Sequence, residues 1–308
     1  MLRALLLYLS RNRRLERWIM KHEFARRAAR RFVAGETREE ALRAVEELNA
    51  RGLLATIDHL GENVANEEQA RAAAEEYLVL LPLITEWELK SHISLKLTQM
   101  GLDIGKELCR ANLERIVAKA KELNNLVRID MEGSEYTDRT LAIFEEVHSR
   151  YGNVGAAIQA NLRRSERDLE RLIELGANVR LCKGAYKEPP GIAYQRKREV
   201  DRNYIKLMEM LLSPEARAKG AYAALATHDE RMIRHAQELE RRWGIGREEF
   251  EFQMLYGIRR ELQQRLADEG YRVRIYVSYG TEWYPFYMRR LAERPANLLF
   301  LLKNLLRR

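Results

Sequence analysis

The 308-residue sequence predicts an α/β fold, a distorted (β/α)8 TIM-like barrel over residues 51–308 with a C-terminal helix. An N-terminal helical arm is expected over residues 1–50. Three observations support this fold. Eight short segments rich in β-branched and aromatic residues alternate with amphipathic helix-type segments. Eight such units in about 250 residues are typical of a closed parallel barrel. Polar residues collect where the strand segments end, at the face that carries the active site in barrel enzymes.

Each predicted strand is short and apolar, as expected for a strand buried on both faces. In order, the strands are ATIDHLG from Ala55, SHISLKL from Ser91, LVRIDME from Leu126, VGAAIQA from Val154, NVRLCKGA from Asn178, YAALATH from Tyr222, FEFQMLY from Phe250 and VRIYVSY from Val273. Helix signals lie between them, with N-terminal caps predicted at Asn66 and Ser165 and helix-ending glycines at Gly176 and Gly270. An open doubly wound sheet is the alternative, but no strand runs into a G-x-G-x-x-G turn.

The composition restricts the class of protein. With 46% hydrophobic and 32% charged residues, the chain can bury a large core and stay soluble. Two cysteines, Cys109 and Cys182, lie in unlike contexts without metal-ligand spacing, which predicts two free thiols in a reducing compartment. The six histidines form no H-x-H or H-E-x-x-H motif, so no metal site is expected.

The net charge of +8 raises the question of a nucleic-acid or membrane partner. Arginines share their helices with glutamates and form no basic stripe interleaved with aromatic residues, so no nucleic-acid partner is expected. The apolar run Ala4 to Leu9 is too short to span a bilayer, and the sequence predicts a soluble cytoplasmic chain. The arginines between residues 11 and 31 and the tail LLFLLKNLLRR suit a lipid surface, with packing on the barrel as the alternative.

Chemically versatile residues end nearly every predicted strand. They are Lys96 on strand 2, Asp130 on strand 3, Gln159 on strand 4, Arg180, Lys183 and Tyr186 on strand 5, Thr227 and His228 on strand 6, Gln253 on strand 7 and Tyr276 on strand 8, with Arg289 and Arg290 following. One barrel mouth therefore collects several cations. Such a cationic bowl suits an anionic ligand, a phosphorylated cofactor or both.

Each of these residues also has a structural interpretation. A lysine inside an apolar strand needs a partner for its ammonium, and Asp130 is the expected partner of Lys96, in a functional or a purely structural ion pair. A single histidine such as His228 is more often structural than a ligand. Arg289 and Arg290 are adjacent on a helix and diverge by about 100 degrees, so spacing alone places one of them on the surface.

The ordered motifs ISLKLTQ, IDME, RLCKGAYKEP, ATHDER, FEFQMLYGIRR and YGTEWYPFYMRRLAERP resemble the proline dehydrogenase family. The similarity extends from about Gly52 to Leu302, and the arm with its FVAGET turn is similar to the short bacterial, monofunctional members. Six motifs in order are far more specific than any one of them. The sequence departs from the family pattern at Ser278, where a proline is usual, at Phe286, where a tyrosine is usual, and at Asn161.

The resemblance implies FAD held without a Rossmann fold. Lys183, Thr227 and His228 would face its phosphates and ribose, and Arg180 and Gln159 would line the isoalloxazine. The full implied cofactor set is Gln159, Arg180, Lys183, Gly184, Ala185, Tyr186, Thr227, His228, Gln253 and Leu255. The implied catalytic and substrate set is Lys96, Asp130, Tyr276, Arg289, Arg290, Glu293 and Glu62. In that set the two arginines bind the proline carboxylate with Lys96, Asp130 and Glu293 orient the cations, Tyr276 packs over the ring and Glu62 acts as a gate.

The activity implied by the resemblance is oxidation of L-proline to Δ1-pyrroline-5-carboxylate, by hydride transfer from C5 to FAD N5. Electrons would pass to a membrane quinone, which adds an expected peripheral contact with the inner face of the cytoplasmic membrane. The reaction is the first step of proline catabolism to glutamate, and a pyrroline-5-carboxylate dehydrogenase would take the product. Two alternatives stay open: a class I aldolase using Lys96 or Lys183 as Schiff-base nucleophile, and a non-catalytic binding protein of membrane surfaces.

Overall fold

The structure, a computed structural model, describes the backbone of residues 29–293 and the side chains of residues 29–288. The basic tail LLFLLKNLLRR and most of the predicted N-terminal arm lie outside the described residues. Within them, no helix is long and apolar enough to cross a membrane.

Eight parallel strands close into a barrel in sequence order, with β8 pairing β1. They are β1 (Leu54–His59), β2 (Ser91–Leu95), β3 (Val127–Ile129), β4 (Val154–Gln159), β5 (Asn178–Cys182), β6 (Tyr222–Ala226), β7 (Phe250–Leu255) and β8 (Val273–Tyr279). The prediction of a (β/α)8 barrel is confirmed, and all eight strands form where the sequence placed them. Lys96 and Asp130 each follow the last residue of a strand and therefore stand at the C-terminal mouth.

Helices cover the outside of the barrel. They are α1 (Arg38–Ala50), α2 (Glu67–Glu86), α3 (Lys106–Glu122), α4 (Thr137–Tyr151, preceded by a 3-10 turn, Ser134–Tyr136), α5 (Ser165–Glu174), α6 (Lys197–Leu212), α7 (Pro214–Ala218), α8 (Glu230–Trp243), α9 (Arg260–Asp268) and α10 (Trp283–Glu293). The helix α1 precedes the barrel and packs on β1 and β8. The helix α10 follows β8 at the mouth.

Most of the predicted helix signals are confirmed. Asn66 caps α2 by accepting a hydrogen bond from the backbone N–H of Gln69 at 2.9 Å. Gly176 and Gly270 follow α5 and α9 with φ of +62° and +87°, the left-handed region that glycine adopts most easily. The cap predicted at Ser165 is wrong. Its hydroxyl instead donates to the backbone carbonyls of Gln159 and Leu162, because the turn leaving β4 needs those oxygens satisfied.

The inside of the barrel is polar, whereas apolar side chains fill the layer between strands and helices. Side-chain hydrogen bonds cross between strands that are not neighbours, from Arg180 on β5 to Ser94 on β2 and from Tyr276 on β8 to Asp130 after β3. Such bonds can form only through the interior. Because side chains alternate along a strand, one face of each strand packs against the helices and the other face points into the barrel interior.

A second apolar cluster joins residues 29–33 to α10. The ring of Phe32 lies 6.1 Å from that of Tyr287, and Trp283 meets Tyr287 edge-on at 6.0 Å. The backbone N–H of Ala34 donates to the carbonyl of Ser278 at 2.8 Å. Phe286 is buried in the same cluster. The segment before α1 therefore braces the helix that carries the predicted arginine pair.

Candidate active site

Lys96 pairs with Asp58, and the expected direct pair with Asp130 is wrong. The Nζ of Lys96 donates to Oδ1 of Asp58 at 3.1 Å, and Asp58 is fully buried on β1. The strand register sets Asp58 beside Ser94, one inward-facing position below Lys96. Ser278 lies within 3.4 Å of the other carboxylate oxygen of Asp58. The departure at Ser278 therefore adds a hydroxyl beside this carboxylate.

Asp130 instead joins Arg180 and Tyr276. One of its oxygens accepts from Nη1 of Arg180, and the other accepts from the hydroxyl of Tyr276 at 2.5 Å. The Arg180 guanidinium also lies over the Tyr276 ring, 5.1 Å from its centroid. Burial and the nearby carboxylates of Asp130 and Asp58 raise the pKa of Tyr276 well above its usual value. The phenol therefore stays protonated and donates to Asp130.

Arg180 is held in three directions. Its Nε donates to Oε1 of Gln253 at 2.5 Å and its Nη2 to Oγ of Ser94 at 2.9 Å, besides the bond to Asp130. These bonds use three of the five N–H groups of a guanidinium. The other two have no partner among residues 29–288. The centre of the mouth thus presents a rigid cation with donor capacity left for a ligand.

Carboxylates keep Lys96 charged. Burial acts to lower its pKa, but the negative charges of Asp58, Asp130 and Glu62 outweigh burial and hold the pKa above its usual value. Glu62, on the loop after β1, is half-buried and close enough to contribute to that shift, as is Tyr186 on the loop after β5. Glu62, predicted for the substrate, and Tyr186, predicted for the cofactor, therefore both lie near the ammonium group of Lys96.

Glu132 is a buried carboxyl group that the sequence reasoning left without a role. It accepts from the backbone N–H of Thr98 at 3.1 Å and from the Thr98 hydroxyl at 2.6 Å. Burial raises the pKa of Glu132 to about 7. Its backbone carbonyl accepts from the side-chain amide of Gln159 at 2.7 Å, and Asn63 next to Glu62 donates its N–H to Thr98. Glu132 and Thr98 thus connect the ends of β1, β2, β3 and β4.

The tops of β5 and β6 carry a cluster of paired charges. Nζ of Lys183 donates to Asp201 at 2.6 Å and to Asp229 at 2.9 Å, and Arg231 binds both carboxylates. The hydroxyl of Thr227 accepts from the backbone N–H of Asp229 at 3.1 Å. The predicted phosphate-facing lysine is therefore present at the mouth, and its two carboxylate partners are residues that the sequence reasoning missed.

His228 is tied to the end of β7. Its Nε2 accepts from the backbone N–H of Leu255 at 3.0 Å, which makes Nδ1 the protonated nitrogen of the neutral ring. The guanidinium of Arg259 donates to the backbone carbonyl of His228 at 2.9 Å. These bonds fix the imidazole and bring two predicted cofactor residues, His228 and Leu255, into direct contact.

Asn161 and Gly184 form a cradle at the tops of β4 and β5. Gly184 has φ of +97°, and a Cβ at this position would overlap the side chain of Asn161. Oδ1 of Asn161 is buried with no hydrogen-bond partner among the described residues. A buried acceptor without a partner is costly, so an N–H or O–H donor of a bound molecule fits here. Ala185 and Tyr186 continue this loop and are half-buried.

The structure therefore brings most of the predicted residues to one mouth. Lys96, Asp130, Arg180, Tyr276 and Gln253 lie at its centre. Arg289, Arg290 and Glu293 belong to α10, and their side chains lie outside the described residues. No group of three His, Cys, Asp or Glu side chains in residues 29–288 could hold a metal ion.

Two of the residues that sequence reasoning missed shared one signal. Asp58 and Glu251 are carboxylates inside the apolar runs ATIDH and FEFQ, and the cost of burying a charge, applied to Lys96, applies to them equally. Both cysteines have free thiols, as predicted, with Cys109 buried and Cys182 half-buried.

A closed (β/α)8 barrel whose C-terminal mouth holds buried, paired charges defines the class as a barrel enzyme. A family model described as proline dehydrogenase matches residues 41–303. The chain belongs to the proline dehydrogenase family.

Similar proteins cover most or all of the chain. Proline dehydrogenase 1 of Bacillus subtilis (strain 168) is 44% identical over 308 residues, which is 100% of both chains. Proline dehydrogenase of Deinococcus radiodurans is 40% identical over 284 residues, 91% of this chain and 90% of its own. Among solved structures, proline utilization A of Bdellovibrio bacteriovorus, inactivated by N-propargylglycine, has a TM-score of 0.81 at 26% identity. That match covers 87% of this chain and 33% of the longer protein.

Proposed function

We propose that this protein oxidises L-proline to Δ1-pyrroline-5-carboxylate with noncovalently bound FAD, as the first step of proline catabolism to glutamate. The observation that carries the proposal is Arg180, a buried cation fixed by Gln253, Asp130 and Ser94 at the centre of the mouth. FAD, when bound, supplies the acceptor for the hydride that leaves C5 of proline and passes the electrons on. Everything else in the reaction falls to the residues of the barrel.

Arg180 holds a fixed positive charge where electron density increases during the reaction. A preorganised cation stabilises such a charge without reorganising at the moment of reaction. Asp130 and Tyr276 keep the guanidinium in place from the side of the substrate. Gln159, anchored on the carbonyl of Glu132, lines the same wall. We assign the isoalloxazine to this wall.

The cofactor's polar parts fit the tops of β5 and β6. Gly184 lets the side chain of Asn161 lie against the backbone, and the unpaired acceptor of Asn161 is available to a ligand's hydrogen-bond donor. Lys183 supplies a positive charge for phosphate groups, and Thr227 a hydroxyl. We assign His228, whose imidazole is fixed by the backbone N–H of Leu255, to the same part of the cofactor. The loop residues Ala185 and Tyr186 complete the predicted set.

The substrate's carboxylate needs cations that stay charged. Lys96 meets this need because Asp58 keeps it protonated, and we assign Arg289 and Arg290 to the same carboxylate. Guanidinium groups bind carboxylates with fixed bidentate geometry. Glu293 is assigned to orient the arginines and Glu62 to gate the entrance. The neutral amine of proline is the form whose nitrogen electron pair supports hydride loss from C5.

The charged state of Lys96 disfavours the aldolase alternative. A Schiff-base lysine must lose its proton before it attacks a carbonyl. Lys96 is held protonated by the buried carboxylate of Asp58. Lys183 is likewise bound by Asp201 and Asp229. The geometry thus supports charge stabilisation by these lysines rather than covalent catalysis.

We further propose that a membrane quinone takes the electrons, that the protein contacts the inner face of the cytoplasmic membrane peripherally, and that a pyrroline-5-carboxylate dehydrogenase receives the product. The basic arm and leucine-rich tail of the sequence support the membrane contact. Binding of the purified protein to vesicles with and without anionic lipid tests it.

The visible spectrum of the purified protein tests the main proposal. We expect absorbance near 450 nm that bleaches anaerobically on addition of L-proline and not of D-proline. Heat denaturation should release FAD, because the flavin is held without a covalent bond. A colourless protein that also fails to bind added FAD would overturn the proposal. Arg180→Met should retain the fold and lose most of the bleaching rate, whereas Arg163→Met, an exposed control on the loop after β4, should not.

A further inference from the structure

A buried polar chain runs from Arg180 down through the barrel. Oε1 of Gln253 accepts from Arg180, and its Nε2 donates to Oε1 of Glu251 at 2.5 Å. Glu251 in turn accepts from Nε of Arg274 at 2.8 and 3.0 Å, and Arg274 donates to the backbone carbonyl of Ala55 at 2.7 Å. Gln253, Glu251 and Arg274 are each at most 4% exposed. Strands β7 and β8 supply all three.

The hydrogen bonds of this buried polar chain can run in only one direction. An arginine can only donate hydrogen bonds and a carboxylate can only accept them. The amide of Gln253 lies between the two, so its oxygen must face Arg180 and its nitrogen must face Glu251. Burial acts to raise the pKa of Glu251, but the charge of Arg274 outweighs it and holds that pKa at about 2. Glu251 therefore stays ionised and the amide orientation is permanent.

Burial of the Glu251–Arg274 pair carries a large desolvation penalty. Both side chains lose their hydration, and such a pair contributes little net stability compared with apolar residues of the same volume. Its contact with the mouth runs through Gln253. A role in orienting Arg180 accounts for the position of the pair.

We propose that Gln253 and Glu251 are positioning residues that fix the orientation and the effective charge of Arg180. The inference rests on the proposed function, in which Arg180 faces the flavin. Gln253 then acts on the cofactor through Arg180 rather than by touching it, since both of its amide atoms are used within the barrel. On its Nε side the guanidinium meets a neutral amide, so Asp130 is its one carboxylate partner among residues 29–288.

The exchange variant Glu251→Gln with Gln253→Glu tests the charge. It keeps the total charge and the side-chain volumes, and it moves the carboxylate about 6.6 Å along β7 onto Arg180. The new glutamate accepts from Arg180, and the new glutamine donates to it and accepts from Arg274. The readout is the midpoint potential of the bound flavin without substrate. We expect the equilibrium between reduced and oxidised flavin to fall at least tenfold, about 30 mV lower for a two-electron couple.

Glu249→Gln is the matched control. It removes a carboxylate just before β7 that pairs with Arg217 at 3.2 Å on the outside of the barrel. Removing this outer negative charge should leave the midpoint potential unchanged. A shift in both proteins would assign the effect to general charge rather than to the chain through Gln253, and would overturn the inference.

Gln253→Met tests the orientation separately and covers the case in which the exchange variant does not fold. Methionine keeps the volume and removes both amide contacts. We expect kcat per bound flavin to fall about tenfold or more while the KM for proline changes less than threefold. A merely structural residue would lower the melting temperature and leave kcat per bound flavin and the potential unchanged, which would overturn the inference.

The two failures are distinguishable. If the wild-type protein takes up no flavin or is not reduced by proline, the proposed function fails. If the wild type is reduced normally and both variants keep its potential and kcat, only the positioning role fails. If neither variant folds, the buried polar chain from Arg180 to Arg274 serves the stability of the protein, and the inference is wrong.

Discussion

Replacing Glu132 by glutamine should change how the stability of the protein depends on pH. Burial raises the pKa of Glu132 in the folded protein to about 7, against 4.5 for an ordinary glutamate. Below about pH 4.5 the carboxyl is protonated in both the folded and the unfolded protein, so its ionisation does not affect the free energy of unfolding. Between pH 4.5 and 7 the unfolded chain releases the proton while the folded protein keeps it, so stability falls as the pH rises. Above pH 7 the loss is complete.

The size of the effect follows from the same two values. A difference of about 2.5 pKa units at 1.36 kcal/mol per unit is about 3 kcal/mol. The glutamine side chain of Glu132→Gln keeps the volume and an acceptor for the Thr98 N–H and does not titrate. The stability of the wild type relative to Glu132→Gln should therefore fall by about 3 kcal/mol between pH 4.5 and 7.5. For a chain of this length that is roughly 5 °C in melting temperature.

Thermal unfolding at fixed added FAD, over a series of pH values, measures this difference. Glu135→Gln is the matched control, because Glu135 lies three residues away and is exposed. Its difference from the wild type should stay flat with pH. A flat difference for Glu132→Gln as well, or an equal drift in the control, would refute the link between burial of Glu132 and its pKa.

Three further outcomes are expected. Lys96→Met leaves Asp58 buried without its cation and should destabilise the protein by about 3 to 5 kcal/mol in thermal or urea unfolding. Arg290→Met should raise the KM for proline by about two orders of magnitude and leave bound flavin in place, since a bidentate charge-assisted contact supplies about 2 to 4 kcal/mol. Phe286→Tyr should shift preference toward proline over trans-4-hydroxyproline by about 1 kcal/mol in relative kcat/KM.

Each of these has an outcome that contradicts it. Lys106→Met removes an exposed lysine paired with Glu146, and it should lower the free energy of unfolding by at most about 1 kcal/mol. If Lys96→Met lowers the free energy of unfolding by no more than this, the buried pair of Lys96 and Asp58 does not stabilise the protein as we expect. Normal proline binding with loss of FAD in Arg290→Met would assign that arginine to the wrong ligand. An unchanged substrate ratio in Phe286→Tyr would mean that residue 286 does not contact the ring.

The strand order and the mouth were predictable because both follow from local patterns. Eight apolar runs ending in polar residues predict strands, and parallel strands put their C-terminal ends together. The partner of Lys96 was not predictable. It depends on the register between β1 and β2, which sets Asp58 beside Ser94 and just below Lys96. The strand register is fixed by packing around the whole barrel, and no local sequence pattern predicts it.

Partners across the barrel were equally out of reach. Arg180 on β5 meets Ser94 on β2, 86 residues away, and Gln253 on β7, 73 residues away. A sequence shows that each residue is polar and faces inward, but not which of them share a layer. The wrong cap at Ser165 has a similar cause. A serine satisfies either an N–H or a carbonyl, and the carbonyls left by the turn after β4 decide which.

The rate at which specifically deuterated L-proline reduces the bound flavin tests the central claim most directly. The proposed reaction breaks a C–H bond at C5 of a proline held at the barrel mouth. In anaerobic stopped-flow measurements, deuterium at C5 should slow the loss of absorbance near 450 nm severalfold, and deuterium at C2 should leave it nearly unchanged. Slowing by deuterium at C2 alone, or no reduction by L-proline at all, would contradict the account.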